Sequence, residues 1–305
     1  GVTARAASVA TGAEAALGRR RKVPPRKVPW VLDLVERRWL YVYVPLFAVL
    51  LYLPSFFILL FSLNDGIYVA FPLKGFTTIW YEKMAANGAL LEAAGNSFAV
   101  GLFAATLATV FGTLGAFAVV RYRLPMAKPI SVLANLPLLI PTVILGIAML
   151  VMLRAIGFDN SLWAIACGHV VVCAPLSLSV MMSRFVDLDP ALEEAALDLG
   201  ANERKTFFVI TLPLSVSAIA SSFILCFTTS FDEFVVAFFL SGPEQTLPLY
   251  IWGQLRFPTT LPMILALGSV VLGATLVLVV FSEWLRRQGP RAAPCCRSRS
   301  PWRRT

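Results

Sequence analysis

Apolar positions in this chain fall in long unbroken blocks, neither alternating nor recurring at amphipathic spacing. Six blocks stand out: Leu40–Leu63, Asn96–Val120, Pro129–Leu153, Ser161–Ser183, Pro213–Phe231 and Phe257–Ser282. A bilayer core needs about 20 apolar residues in helical form, and each block meets or approaches that length. None contains Asp, Glu, Lys or Arg, and His169 is their one ionisable side chain besides tyrosines and cysteines. The fifth is the shortest, its apolar character resuming beyond Asp232 and Glu233. Barrel strands would be about ten residues each with alternating polarity. The pattern predicts an all-α polytopic membrane protein with six transmembrane helices. It forms one membrane domain over 40–283, with a basic arm at 1–39 and a basic tail at 284–305.

Composition agrees: 58% hydrophobic, 14% charged and a mean hydropathy of +0.77 exclude an ordinary soluble domain. Charge sets the orientation. Segments 1–39, 121–128, 184–212 and 283–305 carry 22 of the 26 Lys and Arg residues; 64–95, 154–160 and 232–256 carry the other four. Basic loops stay on the cytoplasmic side, so both termini and the 184–212 loop are expected in the cytoplasm. The net charge of +9 then reports topology and contact with anionic headgroups, not nucleic acid.

The remaining chemistry is sparse. Five cysteines show no metal-ligand spacing; Cys167, Cys173 and Cys226 read as small apolar side chains, and Cys295-Cys296 lie in the basic tail. His169 has no cluster of ligands or nucleophile around it in sequence and reads as a packed or pore-lining residue. No metal site and no catalytic residue is expected. Asn96 and Asn135 are candidates for bonds between helices. Gly101, Gly112 and Gly115 are placed for close helix packing. Trp80 and Tyr81 read as interfacial anchors or as part of a surface receiving another protein.

The 184–213 loop differs from everything around it. Asp189-Pro190 is a helix start, with Asp able to cap and Pro suited to the first position. Gly200 is a helix stop, and Asn202 can cap a second helix running through Phe207-Phe208 toward Pro213. Leu192, Ala195, Ala196 and Leu199 make one apolar stripe, with Glu193, Glu194 and Asp198 on the other side. A helix lying on lipid would carry Lys and Arg on its polar face. Residues 184–212 instead hold six acids to three bases, on the side where the membrane itself is negative. A protein partner explains that charge better.

Glu194-Ala195-Ala196, Gly200, Ile210, Leu212 and Pro213 follow the order E-A-A-x3-G-x9-I-x-L-P. This resembles the EAA loop of the permease subunits of type I ABC importers, at the expected place before the fifth span. The resemblance covers roughly 90–285. It implies that these seven residues couple to a cytosolic ATPase dimer, which rocks two permease subunits between inward-open and outward-open states. The chain has no G-x-x-x-x-G-K-[ST] loop. ATP and Mg are therefore expected on the partner ATPase subunits, with no cofactor here. A second permease subunit and a periplasmic solute-binding protein are implied as further partners.

Asp232 and Glu233 interrupt an apolar stretch, roughly 29 Å along a helix from Pro213 and so near the outer mouth. Intramembrane carboxylates are expensive and usually functional or paired. They can attract a cationic solute, or they can restart a helix, since Ser230-Phe231-Asp232-Glu233 spells a capping box. Both roles are compatible. The run from Ser230 to Glu233, with Ser241-Gly242-Pro243-Glu244-Gln245-Thr246-Leu247-Pro248-Leu249, resembles the second permease of spermidine/putrescine importers. Polyamine is the substrate this resemblance implies, and importers of iron, thiamine or oxyanions share the EAA loop. Tyr250 and Trp252 could offer ring faces to an ammonium group. A stand-alone channel or ion-coupled carrier is the rival class. It would call for midplane charges or an internal duplication, and the sequence has neither.

Overall fold

The computed structural model describes residues 30–122 and 127–288. Most of the basic arm, and the tail with Cys295, Cys296 and Trp302, lie outside the described residues. All regular elements among them are helical: α1 (Trp30–Ser62), α2 (Ile79–Ala85), α3 (Gly88–Arg121), α4 (Ala127–Leu139), α5 (Thr142–Ala155), α6 (Leu162–Asp187) and α7 (Ala191–Asp198). Then come α8 (Glu203–Thr206), a π-helical turn (Phe207–Thr211), α9 (Leu212–Leu214), α10 (Val216–Asp232), α11 (Val235–Leu240), α12 (Leu247–Gln254) and α13 (Leu261–Gln288). Among the described residues, those up to Phe57 form one compact unit and those from Ile58 a second. The first consists of most of α1, which carries Pro45 and Pro54.

Three described helical stretches are long and apolar enough to cross a membrane: Trp39–Ser62, Gly88–Arg121 and Leu162–Asp187. Two further blocks are not straight. Ser131–Leu139 meets Thr142–Ala155 at 109°, and Glu203–Leu214 meets Val216–Asp232 at 69°. Counting each bent pair as one span gives five. The third apolar block is thus two helices rather than one. Pro141 stands at its corner and lacks the N–H that would continue the ladder, and Pro137 weakens the turn before it. Hydropathy sees the length of such a block but not its direction.

The second unit is built on α3, α6 and α10. The buried face of α3 is nearly all small: Ala93, Ser97, Gly101, Ala104, Ala105, Ala108, Gly112 and Ala116 among others. Lipid tails offer no hydrophobic drive for helices to associate, so close backbone approach and dispersion must supply it. At Gly112 the approach is extreme. A Cβ there would sit 2.1 Å from Ser177 Oγ and 2.8 Å from the Leu178 amide nitrogen. Polar bonds between α6 and α10 are few among the described residues. Ser222 donates to Ser177 at 2.8 Å, and the thiols of Cys173 and Cys226 point at each other's carbonyls. Asn135 accepts from Ser179 between α4 and α6, and Asn96 donates to the Gln245 carbonyl, so both asparagines join separate segments.

A second cluster closes the far end, with Trp80, Leu90, Tyr250, Met263 and Ile264 buried together. Trp80 Nε1 donates to the Asn64 carbonyl at 2.8 Å, and the Tyr81 hydroxyl bonds both Ser62 and Ser269. Trp80 is therefore a core residue rather than an exposed anchor. It bonds the backbone near the end of α1, while Tyr81 bonds α1 and α13.

Candidate functional site

The acidic loop folds as an elbow. Asp189 Oδ1 accepts from the Ala191 amide at 3.0 Å and starts α7. Gly200 ends the helix with φ +85°, a left-handed conformation that side-chain-bearing residues rarely hold. Asn202 Oδ1 accepts from Lys205 N at 2.8 Å and starts α8. The chain then widens into the π turn and bends by 69° into α10 at Ser215.

The two faces of α7 do not divide as the predicted apolar stripe of Leu192, Ala195, Ala196 and Leu199 requires. Ala196 is buried, whereas Leu192, Ala195, Leu197 and Leu199 are exposed, Leu199 at 89%. Glu193 turns inward. Its carboxylate lies 3.0 Å from Arg121 Nε at the end of α3, and it accepts from Thr211 Oγ1 at 2.8 Å. Arg121 Nη2 also donates to the Leu188 carbonyl at 3.1 Å. The carboxylate thereby gathers α7, the π turn and α3 at one point. Phe207 packs on Phe117 with ring centroids 4.6 Å apart. The Tyr122 hydroxyl donates to Glu203 at 3.1 Å, and that carboxylate holds the phenol pKa above its ordinary value. Glu194 faces outward and also borders a cleft of about 430 Å³ shared with Arg121, Glu193, Glu203 and Phe207. Ile210 and Leu212 are half-buried and Pro213 is exposed at the bend. The sequence singles out Glu194 and misses Glu193 and Arg121. Two signals were present: an extra acid directly before the E-A-A, and a basic residue ending the second apolar block.

The second site lies at the break between α10 and α11. Glu233 Oε1 accepts from the amides of Val235 and Val236 at 3.0 and 3.1 Å, so this carboxylate starts α11. The capping box spelled by Ser230 does not form. The Ser230 hydroxyl is instead 2.7 Å from His169 Nδ1, tying α6 to the last turn of α10. His169 is packed and buried, with no metal-binding cluster among the described residues. Asp232 is exposed and borders a largely apolar cavity of about 510 Å³, together with Phe231, Phe234, Ile251, Trp252 and Leu255. Trp252 lies 5.4 Å from Phe234, centroid to centroid. Tyr250 is elsewhere: buried at 8% exposure, its hydroxyl accepts from Asn87 Nδ2 at 3.0 Å. Asp232 and Trp252 are thus brought together, whereas Glu233 and Tyr250 are held by the protein itself.

A bent elbow with an outward acidic and apolar face, fastened behind to a helical bundle, is the geometry expected of a coupling loop. The family profile of the binding-protein-dependent transport system inner membrane component matches residues 108–288, a stretch that contains the whole elbow. The chain belongs to that family. It is 36% identical over 261 residues to the putrescine transport system permease protein PotI of Escherichia coli (strain K12), covering 83% of this chain and 92% of that one. It is 33% identical over 238 residues to the spermidine/putrescine transport system permease protein PotC of the same strain, covering 78% and 89%. Among solved structures it resembles a bacterial ABC transporter involved in the import of the acidic polysaccharide alginate. That match has a TM-score of 0.64 at 16% identity and covers 85% of this chain and 98% of the other. At that identity the likeness speaks for the fold, which is that of an importer permease. The chain is a membrane-embedded transport subunit and not an enzyme.

Proposed function

We propose that this permease forms half of the translocation pathway of an ATP-driven polyamine importer in a bacterial inner membrane. In this reading it has six spans with both termini in the cytoplasm. It works with a second permease subunit, two cytosolic ATPase subunits carrying ATP and Mg, and a periplasmic solute-binding protein. The elbow is the observation that carries the proposal. Glu194, Ala195, Leu197 and Leu199 face outward on a helix whose other side is fastened, and apolar anchors beside a charge suit a groove in a soluble partner.

The solute reading rests on the two polyamine permeases at 33–36% identity and on the outer cavity. A polyamine alternates ammonium groups with methylene chains. A lone carboxylate at the rim of an apolar, aromatic-lined cavity offers a partner to each: Asp232 to an ammonium, and Trp252 and Phe234 to methylenes or to a cation over a ring. Glu233 and Tyr250 serve by holding the segment in place. Asp232→Asn is expected to raise the apparent KM for putrescine uptake by roughly tenfold, about the 1.4 kcal/mol of a single charge-assisted contact. Recovery with the ATPase should stay at wild-type level. Uptake assays in cells, with pull-down of the ATPase, check both, and an unchanged KM would remove Asp232 from the pathway.

A further inference from the structure

An elbow moved by a soluble subunit can do work only if it is fastened to something that moves with it. Two routes lead from the elbow into the bundle. The covalent one passes through the π turn and the 69° bend at Ser215 into α10. That bend leaves the buried Ser215 Oγ without a hydrogen-bond partner, and a π turn in a helix marks a local departure from the regular ladder. This joint lacks the continuous ladder of a regular helix.

The other route is through space, into the last turns of α3. Arg121 and Glu193 are only 13% and 15% exposed in their side chains. Their ion pair is reinforced by the Leu188 carbonyl on one side and the Thr211 hydroxyl on the other. Phe117, one turn earlier, seats Phe207. A largely buried pair held on each side by a further hydrogen bond is confined to a narrow geometry, and it resists displacement.

α3 is also the element best able to carry a displacement. It runs 34 residues without a break, roughly 51 Å at 1.5 Å per residue, longer than the hydrocarbon core of about 30 Å. Its far end is fastened as well. Asn87, which caps it, bonds the Tyr250 hydroxyl; Asn96 bonds the Gln245 carbonyl; Ser97 Oγ accepts from Leu247 N at 2.8 Å. Residues 247–252 belong to α12, which contributes Leu247, Pro248, Ile251 and Trp252 to the outer cavity. One rigid helix therefore holds the elbow at one end and a wall of the solute cavity at the other.

We propose that Glu193 and Arg121 are the positioning pair through which elbow movement enters the bundle, and that α3 carries it to the 245–252 segment. This rests on the importer reading above. The test uses the complete transporter in proteoliposomes, with E193Q, R121Q and the apolar double variant E193L/R121M. Two quantities are read: ATP hydrolysed per putrescine taken up, and stimulation of ATP hydrolysis by the solute-binding protein. Apolar replacement of a buried ion pair is commonly neutral for stability, so the double variant should assemble with the ATPase as wild type does. Its ATP-to-putrescine ratio should rise about tenfold and its stimulation should vanish, with the single variants intermediate. An unchanged ratio in E193L/R121M overturns the proposal. So does loss of the ATPase from that variant, which would make the pair a support for elbow shape alone. A wild-type complex that hydrolyses ATP without moving putrescine would instead overturn the substrate reading, leaving the stimulation readout to judge the pair.

Discussion

Glu194→Lys is expected to lower solute uptake by at least about 100-fold while leaving the permease in the membrane at normal level. Glu194 lies on the open side of α7, and no hydrogen bond or ion pair holds its carboxylate among the described residues. Reversal therefore costs the fold little: at most the loss of a favourable anion in the first turn, about 0.3–1 kcal/mol. The damage falls on the partner's side. A lysine set against a surface selected for a carboxylate is a repulsive element, and buried charge contacts at interfaces cost several kcal/mol when broken. Permease abundance by immunoblot, ATPase co-purification and uptake together separate the two outcomes. Gly200→Val should act on the same readouts by another cause. No atom lies within 4 Å of a Cβ built at Gly200, so nothing clashes. Its φ of +85° is what a β-branched residue cannot hold at low cost. The turn would open and α8 would leave its place against α7.

Gly112→Leu is expected to fail earlier, at folding. The first added carbon would already lie 2.1 Å from Ser177 Oγ and 2.5 Å from its Cβ, at the interface of α3 and α6. Ser177 is fully buried and bonded to Ser222, and the Leu178 amide is backbone, so neither can swing aside. The helices must part, which strips contacts from Ala108, Ala116 and Met181 as well. Overpacking a core costs about 1–3 kcal/mol, occasionally more; with backbone in the way the upper end applies. Membrane abundance should drop severalfold, and the thermal transition of the detergent-solubilised protein should fall by about ten degrees or be lost. Gly88→Ala is the matched control. It opens the same helix, with no atom within 4 Å of the added carbon, and should be neutral.

What the sequence reveals here is whatever is decided locally. Asp189, Gly200 and Asn202 set the elbow because caps and a left-handed turn involve only a few neighbouring residues. The block lengths show a helical membrane protein for the same reason. Direction was not legible. Pro141 marks a weak point, but the 109° corner depends on what packs around it, so the third block reads as one span when it is two helices. Pairings across the chain were hidden too. Glu193 looks like part of the solvent face until Arg121, 72 residues earlier, is placed beside it. Ser230 and Glu233 spell a capping box, but the nearby His169 draws the serine away and Glu233 caps alone. Tyr250 and Trp252 are equivalent in sequence as aromatics after a proline. Only the fold sends one into the core against Asn87 and the other to the cavity with Asp232.

The central claim is that solute moves because a nucleotide-hydrolysing neighbour works this elbow. Its most direct test is putrescine flux into proteoliposomes, measured with the permease pair alone and then with ATPase, solute-binding protein and ATP added. The claim requires uptake only in the complete mixture, and its disappearance when the permease carries Glu194→Lys. Steady flux through the permeases alone, without nucleotide, would contradict it.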